Sequence, residues 1–183
     1  MKRVIFLLVS LLLSGCVAAV VAGATGMVVY DKRSMKTMES DARIFHVIHQ
    51  SIVRDPRFND SRIVVVSFNH IVLLLGQTPS DSLRALAEKK AESIPSVQRV
   101  YDEITIGYPL SLTQKTKDSL ITSQARTYML SKKGLESGSI RIVTENGVIY
   151  LMGIATTEQA HLAANVAREV SGVKKVVKVF KRA

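Results

Sequence analysis

An internal repeat constrains the fold of this chain more than any other feature of its sequence. An offset of 77 residues aligns two stretches, and after the loss of one residue an offset of 76 continues the alignment. The register holds over about sixty residues, so two copies of one small domain are expected. The matched pairs include Asp41 with Asp118, Ile44 with Ile121, Asn69 with Asn146, Leu74 with Leu151, Gly76 with Gly153, Leu86 with Leu162 and Val100 with Val176.

Hydrophobic spacing predicts the same five elements in each copy. Apolar residues at i, i+4 and i+8 predict a first helix, with Ile44, Ile48 and Ile52 or Ile121, Ala125 and Met129 facing the core. Strands are predicted at 62–68, 71–76 and 97–106, and again at 139–144, 148–153 and 173–180. Second helices are predicted at 80–93 and 157–171.

The connections between these elements predict how the strands pair. Asn146-Gly147 is a strong hairpin signal because both turn residues need positive φ, and Asn69-His70 is a weaker version of it. A helical crossover favours parallel pairing of the third strand. We therefore predict an α+β protein of two tandem αββαβ domains, each a three-stranded mixed sheet with two helices packed on one face. Tyr108-Pro109-Leu110-Ser111 would link the two domains, either packed together or loosely joined.

The N-terminus has the layout of a secretory signal peptide. Lys2-Arg3 is followed by an apolar run over residues 4–13. The tetrad Leu13-Ser14-Gly15-Cys16 resembles a bacterial lipobox, which implies cleavage before Cys16, diacylglycerol on its sulfur and acylation of the new amine. Residue 17 is Val rather than Asp, and resemblance to lipoprotein sorting then favours the outer membrane. The alternative is a membrane-spanning helix within residues 4–30.

Charge is divided unevenly between the two copies. We assign residues 1–15 to the signal peptide, 16–40 to the lipidated Cys16 and a tether, 41–110 to the first domain and 111–183 to the second. Residues 31–110 carry 11 basic and 10 acidic side chains, a net charge of +1, whereas residues 111–183 carry 12 and 5, a net charge of +7. Because a basic excess attracts anionic partners, the second copy is the better candidate for an anionic surface.

The candidate surface lies on the first helix of the second copy. At 100° per residue, a stripe that contains Leu120 and Tyr128 lies beside the core-facing residues. Apolar and tyrosine side chains among polar ones, flanked by lysines, suit a lipid headgroup interface. The alternative is that Leu120 and Tyr128 belong to the edge of the core and the lysines are merely solvated. The predicted phospholipid-binding residues are Lys117, Leu120, Gln124, Thr127, Tyr128, Ser131, Lys132 and Lys133.

Two stretches of the second copy resemble a BON domain. They are Thr-Glu-Asn-Gly-Val-Ile-Tyr-Leu-Met-Gly at 144–153 and Val-Ser-Gly-Val-Lys-Lys-Val at 170–176, with divergent counterparts at 73–77 and 97–100. Together with the lipobox, they make the whole chain similar to the dual BON-domain outer-membrane lipoproteins. The resemblance implies a lipid-anchored, periplasm-facing protein that binds anionic phospholipid through the first helix of its second BON domain. It also implies support of outer-membrane integrity, often near division sites. Members often carry a large aromatic residue where this chain has Leu120.

The motifs of other function classes are absent from the sequence. One Cys excludes an intrachain disulfide and a multi-Cys zinc site. His46 and His49 have i, i+3 spacing without a Cys or carboxylate in a ligand pattern, and no G-x-S-x-G, H-E-x-x-H or P-loop occurs. We therefore expect no catalysis, no cofactor, no metal and no small-molecule substrate.

The sequence also bears on two classes of partner other than lipid, namely nucleic acid and protein. Nucleic acid is not expected as a partner, because no G-x-x-G loop joins two helices and the signal peptide directs the chain away from nucleic acid. The alternative function is a protein–protein adaptor for envelope or outer-membrane assembly factors, since the edge of a three-stranded sheet can recruit a strand.

Overall fold

The protein was analysed as a computed structural model that describes residues 33–182. The predicted signal peptide, Cys16 and most of the predicted tether lie outside these residues. The described chain forms four helices and two three-stranded sheets, in the predicted order αββαβ, twice. The first domain contains α1 (Met35–Val53), β1 (Arg62–Phe68), β2 (Ile71–Thr78), α2 (Asp81–Glu92) and β3 (Arg99–Ile106). The second contains α3 (Leu112–Ser131), β4 (Ile140–Glu145), β5 (Val148–Ala155), α4 (Thr157–Arg168) and β6 (Lys175–Arg182).

The strand pairing confirms the predicted mixed sheets. In both domains the hairpin strands are antiparallel and the third strand pairs in parallel with the second, which is therefore central. The two hairpin turns have the predicted positive φ angles, 51° at Asn69 and 64° at His70, 50° at Asn146 and 76° at Gly147. Turns of this kind match the right-handed twist of the strands that they join.

The second helix of the second domain ends earlier than the sequence predicted, and the last strand of each domain begins later. Strands were predicted from residues 97 and 173, but Val97 N–H donates to Ile94 O at 2.9 Å and Val173 N–H to Val170 O at 3.3 Å. Both residues are thus in turns, and each strand begins two residues later. Likewise, α4 ends at Arg168 rather than at residue 171, so that the turn can return the chain to the sheet.

Each sheet carries its two helices on one face, as predicted, and packs against the other sheet through the opposite face. The helix–sheet cores are aliphatic and separate, one in each domain. A third buried cluster joins the two sheets, and because both faces of β2 are covered, all eight of its residues are buried. The choice between packed and loosely linked domains is therefore settled as packed. This cluster contains Val66, Phe68, Ile71, Leu73, Leu75, Tyr150, Met152 and Val179.

A buried carboxylate on the first helix of each domain holds the hairpin turn. Asp41 accepts hydrogen bonds from the backbone N–H groups of Asn69 at 2.6 Å and His70 at 2.8 Å. Asp118 accepts the equivalent pair, both at 2.8 Å, from Asn146 and Gly147. These bonds satisfy turn donors that would otherwise be buried without a partner. The aligned pair Asp41 and Asp118 is therefore explained by the fold.

Polar contacts hold the two domains together and order the linker between them. Glu145 of β4 accepts from Arg62 Nη1 at 2.7 Å and from Gln77 Nε2 at 2.8 Å, both in the first domain. The Oε1 of Gln77 in turn accepts from the backbone N–H of Leu110, in the linker, at 3.0 Å. Because Glu145 and Gln77 are both buried, this chain of bonds orders the linker as well as the interface.

Candidate functional site

Helix α3 presents the predicted site, and its orientation is fixed by capping and by the core. The Ser111 hydroxyl accepts from Gln114 N–H at 3.2 Å and starts the helix. Ile121, Ala125 and Met129 are buried against the sheet, as their spacing predicted. The opposite side of the helix therefore faces solvent along its whole length.

All eight predicted phospholipid-binding residues are exposed. Leu120 is 60% exposed and Tyr128 43%, so neither side chain belongs to the buried core. This exposure counts against the alternative in which these two residues form the edge of the core. A leucine this exposed contributes little to the packing of its own domain, which makes it a candidate for contact with a partner.

The lysines are divided between the two ends of α3. Lys117 lies in the second turn, whereas Lys132 and Lys133 follow the helix end. Because a helix rises 1.5 Å per residue, about 22 Å separate Lys117 from Lys132 along the axis. The structure therefore does not bring the three lysines together as one anion site. They flank the exposed Leu120 and Tyr128 on either side, an arrangement that suits an extended charged surface.

Several hydroxyl groups along α3 donate to backbone carbonyls of the helix itself. Thr127 Oγ1 donates to Ser123 O at 3.1 Å and Ser131 Oγ to Tyr128 O at 3.0 Å. Thr116 Oγ1 likewise donates to Leu112 O at 3.0 Å. A hydroxyl that already donates to a backbone carbonyl loses less when water leaves it. The Ser- and Thr-rich face of α3 is therefore less costly to dehydrate than its composition indicates.

A groove beside Leu120 was not found from the sequence. It has a volume of about 360 Å³ and lies between α3 and the turn that follows α4. Lys174 lies at the groove, and its ammonium donates to Asn146 Oδ1 at 3.0 Å. The sequence identifies the turn residues, within 170–176, only through their resemblance to a BON motif. The groove is lined by Gln114, Lys117, Leu120, Ile121, Gln124, Ser171, Gly172 and Lys174.

The histidines on α1 do not form a metal site with neighbouring ligands. The His49 ring stacks on Phe45, with 5.4 Å between ring centroids. Within residues 33–182 there is no group of three or more His, Cys, Asp or Glu side chains placed to hold a metal ion. Over the same residues, every helix is too short or too polar to cross a bilayer.

Comparison with known proteins agrees with this architecture. The pattern of the BON domain matches residues 40–108 and 117–183, which is most of the chain. The chain belongs to the BON domain family. A relative in Haemophilus influenzae, described as "Outer membrane lipoprotein DolP", is 34% identical over 183 residues, which cover 98% of this chain and 95% of the relative. The match over both BON domains and nearly the full length makes this a dual BON-domain protein of the DolP type, lipid-anchored in the outer membrane.

Two further likenesses are more distant. The "21 kDa hemolysin" of Actinobacillus pleuropneumoniae is 34% identical over 151 residues, covering 82% of this chain and 78% of that protein. Among solved structures, CdsD, a structural protein of the type III secretion system of Chlamydia trachomatis, is 12% identical with a TM-score of 0.31. That likeness covers 77% of this chain and 93% of CdsD, and its TM-score is too low to support a functional argument.

The two BON domains differ at the positions that matter for the candidate site. The 77-residue offset places Arg43, Val47 and Ser51 of α1 where α3 has Leu120, Gln124 and Tyr128. Arg43 is paired with Glu39 at 3.1 Å. Helix α1 therefore has neither the leucine nor the tyrosine at the equivalent positions.

Proposed function

We propose that this protein binds the surface of anionic phospholipid membranes through α3 of its second BON domain. The exposure of Leu120 between lysines, on the half of the chain that carries a net charge of +7, supports this proposal most directly. In this proposal the domains face the periplasm and the contact supports outer-membrane integrity. The protein acts by binding and carries out no reaction.

Two forces would act together at such a surface. Each lysine near an anionic membrane contributes about 1 kcal/mol, and this attraction decays within a Debye length of about 8 Å at physiological salt. Complete burial of a leucine contributes about 1.5–3 kcal/mol, and less at an interface. Lys117, Lys132 and Lys133 would supply the first force, and Leu120 with Tyr128 the second. Raising the salt should therefore weaken binding without abolishing it.

A lipid anchor attached at Cys16 would make a weak contact by α3 sufficient for membrane binding. Acyl chains on Cys16 would hold the protein at the membrane, because each buried CH₂ contributes about 0.8 kcal/mol. Contact by α3 then becomes an intramolecular event at high effective concentration. Cys16→Ser should abolish acylation, and an intact-mass measurement of membrane-extracted protein checks the anchor. An unacylated mass that retains residues 1–15 would instead support a membrane-spanning N-terminus.

Vesicle co-sedimentation tests the lipid contact without the anchor. We would use residues 16–183 with Cys16→Ser, and vesicles of phosphatidylcholine with or without phosphatidylglycerol. Binding should require phosphatidylglycerol, and Leu120→Glu should weaken it at least tenfold, more than Leu120→Ala does, since glutamate also adds repulsion. The matched control is Val47→Glu, an exposed apolar position on α1 of the first BON domain, and it should leave binding unchanged.

Circular dichroism must show that every variant is folded, because an unfolded Leu120→Glu protein would lose binding even if Leu120 did not contact the membrane. If folded Leu120→Glu protein binds anionic vesicles as well as the wild type, α3 is not the membrane contact. A wild-type protein that ignores anionic vesicles altogether would favour the protein-adaptor function instead.

A further inference from the structure

The linker between the BON domains exposes large apolar side chains. Tyr108 is 89% exposed and Leu112, in the first turn of α3, is 79% exposed; Ile106 at the end of β3 is also exposed. None of the three belongs to the buried clusters of the two domains or of their interface. We call residues 106–112 the linker tip. Three exposed apolar side chains within seven residues are a local concentration of apolar surface that packing inside this chain does not explain.

The backbone of the linker tip is held in place although its side chains are exposed. Gly107 N–H donates to Thr78 O at 2.8 Å, and Leu110 N–H donates to the buried Gln77 at 3.0 Å. Between these two bonds lie Tyr108 and Pro109, whose ring fixes φ. An ordered segment pays little conformational entropy when it docks, so the linker tip is pre-organised for contact.

The linker tip continues the face of α3 that carries Leu120. Leu112, Thr116 and Leu120 are at i, i+4 and i+8, all three are exposed, and they therefore share one side of the helix. Thr116 interrupts this stripe only weakly, because its hydroxyl donates to Leu112 O at 3.0 Å. The stripe spans about 12 Å along the helix axis. It joins the linker tip to the centre of the candidate membrane face.

We propose that the linker tip is a second point of membrane insertion, with Tyr108 and Leu112 entering the headgroup region of the same anionic bilayer that α3 contacts. This inference rests on the proposed function of α3. Tyrosine suits this depth because it has an apolar ring and a hydroxyl that stays near water. Lys115 and Lys117 lie beside the stripe and complement an anionic surface. Two insertion points would hold α3 along the membrane surface, whereas one would leave it free to tilt.

Tryptophan fluorescence tests this proposal cleanly, because the chain contains no Trp. We would prepare single-tryptophan variants of residues 16–183 with Cys16→Ser, namely Tyr108→Trp, Leu120→Trp and, as a matched control, Val53→Trp. Val53 is an exposed apolar residue at the end of α1. Each would be mixed with phosphatidylglycerol vesicles that contain brominated phosphatidylcholine, which quenches tryptophan only on contact with the lipid region.

The proposal predicts a blue shift and quenching for Tyr108→Trp and Leu120→Trp, with no change for Val53→Trp. If Leu120→Trp is quenched and Tyr108→Trp is not, the linker tip does not insert, while the function proposed for α3 stands. If neither is quenched, both proposals fail. Quenching of all three variants to the same degree would show non-specific adsorption and would also overturn the proposal.

A binding measurement complements the fluorescence. Tyr108→Ser combined with Leu112→Ser should weaken binding to phosphatidylglycerol vesicles about five- to tenfold, since two partly inserted side chains are lost. The matched control is Val47→Ser combined with Val53→Ser, on the first BON domain, which should bind as the wild type does. Equal affinities of the linker-tip variant and this control would count against insertion.

Discussion

The two BON domains of this protein share a fold and differ in surface. Each places a buried aspartate of its first helix under its hairpin turn, Asp41 in one domain and Asp118 in the other. The exposed faces of those same helices have diverged, and the net charge is +1 in one half and +7 in the other. The residues that are alike thus maintain the architecture, while the residues that differ are the ones that could distinguish a membrane from other partners.

The two domains also differ in where they lie relative to the interface between the sheets. The first BON domain covers one face of the second through the sheet–sheet cluster and holds the linker through Gln77. The second domain then presents α3 on the side away from that interface, with its core residues buried and Leu120 exposed. Under the proposed function, the first BON domain supports the second, and the second makes the membrane contact.

The largest effect on stability is expected from alanine substitutions at the aligned glycines, Gly76 and Gly153. Comparing the two variants tests how far the two domains are equivalent. Gly76 has φ of +112°, and an added Cβ would lie 1.9 Å from Arg62 O; at Gly153 the nearest atom, Ser139 O, would be 2.5 Å away. Gly76→Ala should lower the free energy of unfolding by about 4 kcal/mol, more than Gly153→Ala, because it adds backbone strain to the clash. Urea denaturation measures both. Equal losses would mean that the two hairpins are under the same constraint.

Removing the aspartates beneath the turns should have the next largest effect. Asp118→Ala leaves two backbone N–H donors and the side-chain amide of Gln114, which donates to Asp118 at 3.0 Å, without their acceptor, and should cost about 2–3 kcal/mol. Asp41→Ala should cost more, because Asp41 accepts from two side chains besides the turn, the charged Arg33 at 2.7 Å and Ser67 at 3.1 Å, whereas Asp118 accepts from one, the neutral Gln114. The control is the exposed Asp60→Ala, which should change stability by less than about 0.5 kcal/mol. A loss for Asp118→Ala as small as this control would contradict the role given to the carboxylate.

Removing positive charge from one domain at a time tests whether the two domains differ in their affinity for anionic vesicles. Replacing Lys117, Lys132 and Lys133 by glutamine should weaken binding to anionic vesicles by about 2 kcal/mol, or roughly thirtyfold. Replacing Lys36, Arg43 and Lys89 of the first domain by glutamine removes the same charge from the chain and should have little effect. The comparison fails if both triple variants lose the same affinity, since only total charge would then matter.

The smallest effect on stability is expected from a substitution of Tyr150, at the interface between the sheets. Tyr150 occupies the position that Leu73 has in the first domain. Burial raises the pKa of Tyr150 above its usual range, and the Glu103 carboxylate adds to the rise. Because the folded state then holds the proton more tightly, this contribution to stability is complete below the unfolded pKa of about 10 and decreases as the pH rises above it.

Tyr150→Phe should change the unfolding free energy at neutral pH by no more than about 1 kcal/mol, since it removes only a long hydrogen bond, 3.4 Å from the Tyr150 hydroxyl to Glu103 Oε2. Urea denaturation at about pH 8 and about pH 11 measures how far the free energy of unfolding falls between the two pH values. This fall should be smaller for the variant than for the wild type. An equal alkaline loss in the two proteins would show that Tyr150 does not titrate with unfolding.

The fold could be predicted largely from the repeat, whereas the interface between the domains could not. Periodicity identified Ile121, Ala125 and Met129 as the core side of α3, and the turn residues predicted both hairpins. The same periodicity cannot tell which partner covers the second face of a sheet, because the residues of β2 are apolar on both faces. The pairing of Glu145 with Arg62 joins residues 83 positions apart, and no local pattern indicates it.

The candidate site was predicted in part. Helical spacing placed Leu120 and Tyr128 on one stripe, and exposure in the structure agrees with that placement. The linker tip was missed because Tyr108 was interpreted as part of the linker and the stripe on α3 was not extended to Leu112, which is at i−8 from Leu120. The groove beside Lys174 depends on a tertiary contact between α3 and the turn after α4, which sequence spacing does not contain.

The central claim is that α3 of the second BON domain contacts the membrane and the equivalent helix α1 of the first does not. Nuclear magnetic resonance of residues 16–183 with Cys16→Ser, bound to phosphatidylglycerol vesicles or bicelles that contain a nitroxide-labelled lipid, tests this claim for both helices at once. The account predicts that signals from exposed residues of α3, including Leu120 and Tyr128, broaden strongly while those of Arg43 and Val47 on α1 do not. Broadening of α1 that equals or exceeds that of α3 would contradict it.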